Sequence, residues 1–247
     1  MDLGLKGRTA IVCGASSGLG LATAEALSAE GANVAMFARR RDLIEREADR
    51  LGALGVRGDV TNPRDLERLV EQTLAAFHGL DILVWNGGGP PPGRAEDLTV
   101  EAVERAVELL LLPPVLLLRL CLPYLERSGS GRVIALTSMA VKEPTPNLAL
   151  SNVVRAGVTG WAKTLSRELG PKNITVNCVA PGLIATARLD QLFPGGPTPE
   201  QLATIPLGRW GEPREFGDVV CFIASDRARY ITGTTIPVDG GITHGLL

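Results

Sequence analysis

The chain has 247 residues, enough for one α/β unit with a buried core, and a formal net charge of −2 with no block of like charges. That balance argues against nucleic acid or an anionic membrane as the main partner. Cys13, Cys121, Cys178 and Cys221 are scattered and the only histidines are His78 and His244, so no metal-ligand spacing exists and the cysteines read as small buried hydrophobes in a reducing compartment.

The first seven residues, Met1 to Gly7, hold no long apolar run, so no signal peptide and a cytoplasmic location are expected. A first strand is predicted over Arg8–Cys13. It runs into Gly14-Ala15-Ser16-Ser17-Gly18-Leu19-Gly20 and then a helix over Leu19–Glu30. Glycines between a strand and a helix let the backbone turn tightly and approach a pyrophosphate. The helix N-terminus behind them offers free N–H groups and partial positive charge. A second strand, Asn33–Ala38, ends in Arg39-Arg40-Arg41. In a dinucleotide fold an acidic residue at this point favours NAD. Here Ala38 stands there and Arg39 follows, and a guanidinium suits a 2′-phosphate, so NADP(H) is preferred over NAD(H). A solvated turn is the competing reading of the run, more so for Arg40 and Arg41.

A third strand over Leu54–Arg57 leads to Gly58-Asp59-Val60, and Asn62 precedes Pro63 as a polar cap on a helix over Pro63–Phe77. A fourth, Ile82–Trp85, precedes Asn86 and the run Gly87-Gly88-Gly89-Pro90-Pro91-Pro92-Gly93, which stiffens a wall of a site or forms a rigid turn. The Leu-rich segment Glu101–Arg127 reads as a helix broken or kinked at Pro113-Pro114. Its apolar part, Leu109–Leu125, falls short of the ~20 residues of a membrane span. Its all-round apolarity fits a core helix, a subunit interface, or both. Strands over Arg132–Thr137, Thr175–Ala180 and Thr235–Val238 and a helix over Asn152–Leu169 complete the pattern, with an irregular stretch over 187–206 that suits a lid. Most strands are continuously apolar, as in a parallel sheet covered on both faces. Repeated βαβ without a linker predicts a single Rossmann unit over residues 1–247: a doubly wound, mostly parallel, seven-stranded sheet.

The GxxxGxG turn of Gly14, Gly18 and Gly20, the Gly58-Asp59-Val60 strand end, Asn86-Gly87-Gly88, Thr137-Ser138, Pro181-Gly182-Leu183-Ile184-Ala185-Thr186 and the tail Val238-Asp239-Gly240-Gly241 resemble, in order, the short-chain dehydrogenase/reductase family. The 3-oxoacyl-acyl-carrier-protein reductase-like group is most similar. The resemblance spans about residues 5–243. It implies that Gly14, Ser16, Ser17, Gly18, Leu19 and Gly20 hold the diphosphate, and that Asp59 and Val60 meet adenine. Asn86, Gly87 and Gly88 would lie under the cofactor, and Pro181, Gly182, Ile184 and Thr186 would pack against nicotinamide. It also implies a homo-oligomer, a tetramer or a dimer, and a small carbonyl or hydroxyl substrate.

In that family a Ser polarises the carbonyl, a Tyr passes the proton, and a Lys four residues on depresses the Tyr pKa and holds the ribose. Ser138 matches the first role, although a Thr-Ser pair after a strand is also a plain capping turn. The other two positions are Ser151 and Arg155. A serine hydroxyl is a far weaker acid than a phenol, and a guanidinium releases no proton at neutral pH. The position of the helix Asn that supports a relay water aligns with Leu110. Lys142, four residues past Ser138, is the best substitute proton donor, unless it merely pairs with Glu143 at the surface. Cys178 reads as core rather than nucleophile, and Tyr124 and Tyr230 as structural. Three readings follow: an NADP(H)-dependent oxidoreductase with a rearranged site, a non-catalytic dinucleotide-binding regulator or partner subunit, or a protein that binds a different nucleotide, which would leave the Pro181–Thr186 match idle.

Overall fold

The computed structural model describes residues 1–246; Leu247, the last residue of the expected Rossmann unit, lies outside them. Seven strands form one sheet: β1 (Thr9–Cys13), β2 (Asn33–Ala38), β3 (Leu54–Arg57), β4 (Ile82–Trp85), β5 (Arg132–Leu136), β6 (Thr175–Pro181) and β7 (Thr235–Val238). Their order is β3-β2-β1-β4-β5-β6-β7 and every pairing is parallel. The chain direction of winding reverses between β1 and β4, which opens a crevice at their carboxyl ends.

Nine helices connect the strands among the described residues: α1 (Gly18–Ala29), α2 (Arg41–Leu51), α3 (Pro63–Phe77), α4 (Val100–Leu110), α5 (Leu112–Ser128), α6 (Ala149–Leu169), α7 (Ala187–Leu192), α8 (Pro199–Ala203) and α9 (Pro213–Ala224). Alternation along β1 explains its unbroken apolar run. Ile11 and Cys13 enter a core with residues of α3, α5 and α6, while Ala10 and Val12 enter a second core with α1, α2 and α9. Asn62 caps α3 by accepting from the Arg64 N–H at 3.1 Å.

Two expectations need correction. The helix break falls at Leu111, ahead of the prolines, because Pro113 and Pro114 sit in the first turn of α5, where no intrahelical N–H is required. The stretch over 187–206 is not wholly irregular: it holds α7 and α8, the latter with a capping box between Thr198 and Gln201. The near-continuous helical stretch Val100–Ser128 also exceeds the expected length. It is apolar and long enough, by length and composition, to cross a membrane. Leu117, Leu118, Cys121 and Leu125 of α5 are instead buried in the core, and a third cluster of Ala106, Leu110, Leu150 and Val154 fixes α4 against α6. That last contact sets the position of Ser151 and Arg155.

The amino ends of the strands are pinned by charge. Arg8 and Arg132 are buried and share Asp226 at 2.9 and 3.3 Å, and Arg132 also donates to the Ser130 and Gly131 carbonyls. Asp81 accepts from the Thr9 N–H at 2.7 Å and the Ser128 hydroxyl at 2.6 Å.

Candidate active site

The glycine turn follows β1 at the crevice. Gly14 and Gly18 have φ of 62° and 58°, a region that favours glycine. A Cβ on Gly20 would stand 2.3 Å from the Gly14 carbonyl oxygen, and one on Gly14 would stand 2.8 Å from Asn86 Nδ2. Asn86 therefore wedges against the turn from the end of β4, across the reversal point. Ser17 precedes α1 without a side-chain capping bond, so the first N–H groups of the helix remain free for an anion. Leu19 turns its side chain toward the core and offers only backbone to the groove. This cradle fits a dinucleotide diphosphate, since glycine backbone and the free N–H groups of α1 face the crevice together.

The three-arginine run divides by role. Arg41 pairs with Glu45 at 2.9 Å on α2, as a solvated helix pair does. Arg40 reaches back to the glycine turn and donates to Ser17 Oγ at 2.8 Å and Ser16 Oγ at 3.4 Å. Arg39 lines an open cleft of about 470 Å³ with Arg57, Gly58, Asp59, Asp65 and Arg68. Asp65 accepts from the Asp59 N–H at 2.9 Å and pairs with Arg68 at 2.7 Å, and these contacts hold its carboxyl below the usual range. Asp59 accepts from the Thr61 N–H and hydroxyl. Val60 packs against the core. Arg57 and Arg68 were not singled out in the sequence. The parallel register, which sets Ala38 opposite Arg57, was the signal that placed Arg57 beside Arg39.

The far half of the crevice lies at the ends of β4, β5 and β6. Pro181 ends β6, and the next residue, Gly182, approaches Asp239 so closely that a Cβ would stand 2.5 Å from its Cα. Ile184 is buried and bridges Gly211. Thr186 caps α7, and its methyl would lie 3.4 Å from a Cβ on Gly18, so this segment faces the glycine turn across the groove.

Ser138 opens a short 3₁₀ turn, Met139–Val141, and its Oγ accepts from the Ala140 N–H at 3.2 Å. The capping role is thus real, and the hydroxyl proton stays free to donate. Ser151 lies in the first turn of α6, buried, and its hydroxyl has no hydrogen-bond partner among the described residues. Arg155, one turn on, is half-buried and donates to the Leu136 carbonyl at 3.0 Å and to Gly87 and Gly88 at 3.3 and 3.5 Å. Burial, with the like charge of Arg188 second, pulls its guanidinium down to about 10, so it remains a cation at neutral pH. Leu110 stands beneath Gly87: its Cδ2 would be 2.7 Å from a Cβ there.

Lys142 follows the 3₁₀ turn and is half-buried. The expected surface pair with Glu143 does not form. Glu143 instead accepts from the His244 N–H at 3.0 Å and faces its ring at 3.4 Å, which ties the tail to this loop, and no carboxylate among the described residues pairs with Lys142. Burial pushes the Cys178 thiol up to about 11 and the Cys13 thiol up to about 12, which suits core residues and not nucleophiles. Tyr124 packs under the Arg127 guanidinium, 4.5 Å from the ring centroid, and Tyr230 is fully exposed. Arg188 on α7, unremarked in the sequence, donates to the Pro90 carbonyl at 2.9 Å and spans the crevice mouth.

Residues 14–243 match the family model described as Enoyl-(Acyl carrier protein) reductase. The human protein Dehydrogenase/reductase SDR family member 4 is 33% identical over 244 residues, covering 96% of this chain and 88% of that protein. Among solved structures, L-sorbose reductase from Gluconobacter frateurii, complexed with NADPH and L-sorbose, superposes with a TM-score of 0.91 at 32% identity over 100% of both chains. The 3-ketoacyl-(acyl-carrier-protein) reductase from Brucella melitensis, complexed with NADH, gives a TM-score of 0.90 at 31% identity over 96% of this chain and 99% of that one.

Proposed function

The chain belongs to the short-chain dehydrogenase/reductase family, and we propose that it is an NADP(H)-dependent oxidoreductase of a carbonyl/hydroxyl pair in which Ser138, Ser151, Arg155 and Lys142 take the place of the usual relay. The observation that carries this reading is the cradle of Gly14, Gly18 and Gly20 closed by Asn86 beneath a free helix N-terminus, at the switch point of the sheet. Arg39 and Arg57 make no ion pair among the described residues and line the cleft where a 2′-phosphate would be held, which supports NADP(H) over NAD(H).

When bound, the reduced nicotinamide supplies the hydrogen and electron pair that a carbonyl carbon accepts. The protein's part is to polarise and protonate the oxygen. Ser138 Oγ accepts from the Ala140 N–H and donates to no other described residue, so its proton is free for that oxygen. Ser151 offers a second buried hydroxyl with no competing partner. A hydroxyl passes a proton on only if another group replaces it, a role we assign to Lys142 on the loop that Ser138 opens. Arg155 cannot serve: its N–H groups hold three carbonyls, and it stays charged at neutral pH. It keeps the ends of β4 and β5 together and adds positive charge where an oxyanion develops.

That same commitment of Arg155 favours one second reading, a dinucleotide-binding subunit without turnover. Titration of the purified protein with NADPH and NADH, followed by a panel of ketones, aldehydes and 3-oxo esters, separates the two. NADPH bound more tightly than NADH and consumed with at least one carbonyl is the expected result. Tight binding without consumption selects the second reading, and failure to bind either dinucleotide removes both. Leu112 on α5 is 55% exposed and continues the apolar α4–α5 surface, which supports a homotetramer or dimer through that face; light scattering tests it.

A further inference from the structure

The run Gly87–Gly93 is gripped by two guanidiniums from opposite sides. Arg155 on α6 donates to the Gly87 and Gly88 carbonyls. Arg188 on α7 donates to the Pro90 carbonyl, and its Nε and Nη2 would each stand 3.0 Å from a Cβ on Gly89. A side chain at position 89 would crowd the guanidinium from that distance. The two cations are near enough for Arg188 to disfavour the charge on Arg155. Lys142 adds a third half-buried cation on the loop after Ser138.

Nothing among the described residues balances them. Among the described residues no carboxylate lies within ion-pair distance of Arg155, Arg188 or Lys142. Glu143, the nearest acid in sequence to Lys142, is taken by His244. Asp190, two residues past Arg188, makes no ion pair among the described residues. Like charges gathered in a partly dry cleft repel one another, and an anionic ligand relieves the repulsion. A guanidinium that uses one N–H on a backbone carbonyl keeps others for a planar, two-oxygen anion.

We propose that the substrate is an oxo acid or hydroxy acid, and that Arg188, braced on Pro90, is the specificity-determining residue that grips its carboxylate. The inference rests on the oxidoreductase reading above. It makes α7 a recognition element as well as a cover, because the residue that closes the crevice mouth is also the one that tests the substrate's charge.

The experiment compares acetoacetate with methyl acetoacetate, which share the ketone and differ in charge. Binding to protein saturated with NADP⁺, where the ketone cannot be reduced, is read by calorimetry, and NADPH consumption is read separately. The acid is expected to bind at least about tenfold more tightly than the ester, the worth of one charge-assisted hydrogen bond. Arg188→Gln keeps an N–H for Pro90 and drops the charge, and should bring that ratio to near unity; Arg188→Lys should restore part of it. Equal binding of acid and ester to the wild type, or an acid preference that survives Arg188→Gln, overturns the proposal. So does an Arg188→Gln that weakens NADP⁺ while the acid preference stays, since the anion served would then be the cofactor's own. Carbonyls reduced without acid preference sink this inference and leave the oxidoreductase reading intact. Charge-selective binding that depends on Arg188 with no carbonyl reduced does the reverse.

Discussion

The two ends of the sheet carry the same kind of side chain in opposite states. At the amino ends of β1 and β5, Arg8 and Arg132 are buried against Asp226, Asp81 and the Ser130 carbonyl. At the carboxyl ends, Arg39, Arg57, Arg155 and Arg188 face a crevice and none makes an ion pair among the described residues, the Asp65 carboxyl feeling Arg57 only across the cleft. One end closes its charges internally and serves stability. The other leaves cations and helix N–H groups open, at the cost of mutual repulsion, and that is where anionic ligands have something to bind. Burial alone does not separate the two ends, since Arg132 and Arg155 are both substantially enclosed. The presence or absence of a protein counter-ion does.

The largest effect expected from disturbing the open end is at the glycine turn. Gly20→Val places a side chain where even a Cβ would stand 2.3 Å from the Gly14 carbonyl, so the turn must shift away from Asn86. Dinucleotide binding should fall by roughly 100-fold or more, the energetic scale of losing several backbone contacts to a phosphate. Fluorescence titration checks this, with circular dichroism to confirm the fold; unchanged binding would mean that the diphosphate lies elsewhere. The next effect is catalytic. Ser151→Tyr combined with Arg155→Lys should raise the rate toward neutral 3-oxo esters by about 10²–10⁴, the usual worth of a positioned general acid. An unchanged or lower rate would mean that positions 151 and 155 do not stand where the family's acid and its partner stand.

Reading the chain alone located the open end well and its occupants only in part. Asn33–Ala38 and Ile82–Trp85 were legible to the residue because a strand buried on both faces is an apolar run bounded by polar or glycine residues, and the half-buried edge strands Leu54–Arg57 and Thr235–Val238 because they fall at the βαβ spacing. Helices α7 and α8 were not, since six and five residues are too few to show a 3.6-residue period. The glycine turn, Asn86 and Arg39 could be read because their spacing is local. Arg57 and Arg68 became visible only through the register of β2 against β3, and Arg188 only through the fold of the cover over Pro90. The partner of Glu143 lay 101 residues away at His244, beyond any local pattern.

A smaller effect tests the adenosine side of the crevice. Arg39→Ala removes an exposed guanidinium that makes no ion pair among the described residues, so the fold should be unaffected. NADPH binding should weaken about tenfold while NADH binding hardly changes, the difference being one charge-assisted contact to a phosphate. Equal loss for both dinucleotides would assign Arg39 to a group they share, and no loss for either would shift the 2′-phosphate toward Arg57.

The smallest expected effect compares the two ends directly through stability. Asp226→Asn removes the charge shared by Arg8 and Arg132 and leaves two buried guanidiniums facing each other. Burial already lowers the Arg132 pKa, with Arg8 adding repulsion and Asp226 opposing it, so loss of the carboxylate removes an opposing influence. The Asp226 side chain is 51% exposed, which screens its attraction and limits the loss to about 1 kcal/mol, a fall of roughly 2–4 °C in Tm for a chain of this size. Arg188→Gln changes charge by the same amount at the open end, but there it relieves repulsion on Arg155 and keeps a donor for Pro90. Its Tm should hold or rise. Thermal unfolding of the two variants side by side, at low and high salt, decides the matter. A fall for Asp226→Asn that shrinks in salt, with none for Arg188→Gln, is what a neutralised end and an open end require. Equal falls would mean that Arg188 has an internal partner after all, and the contrast between the two ends would lose its physical basis.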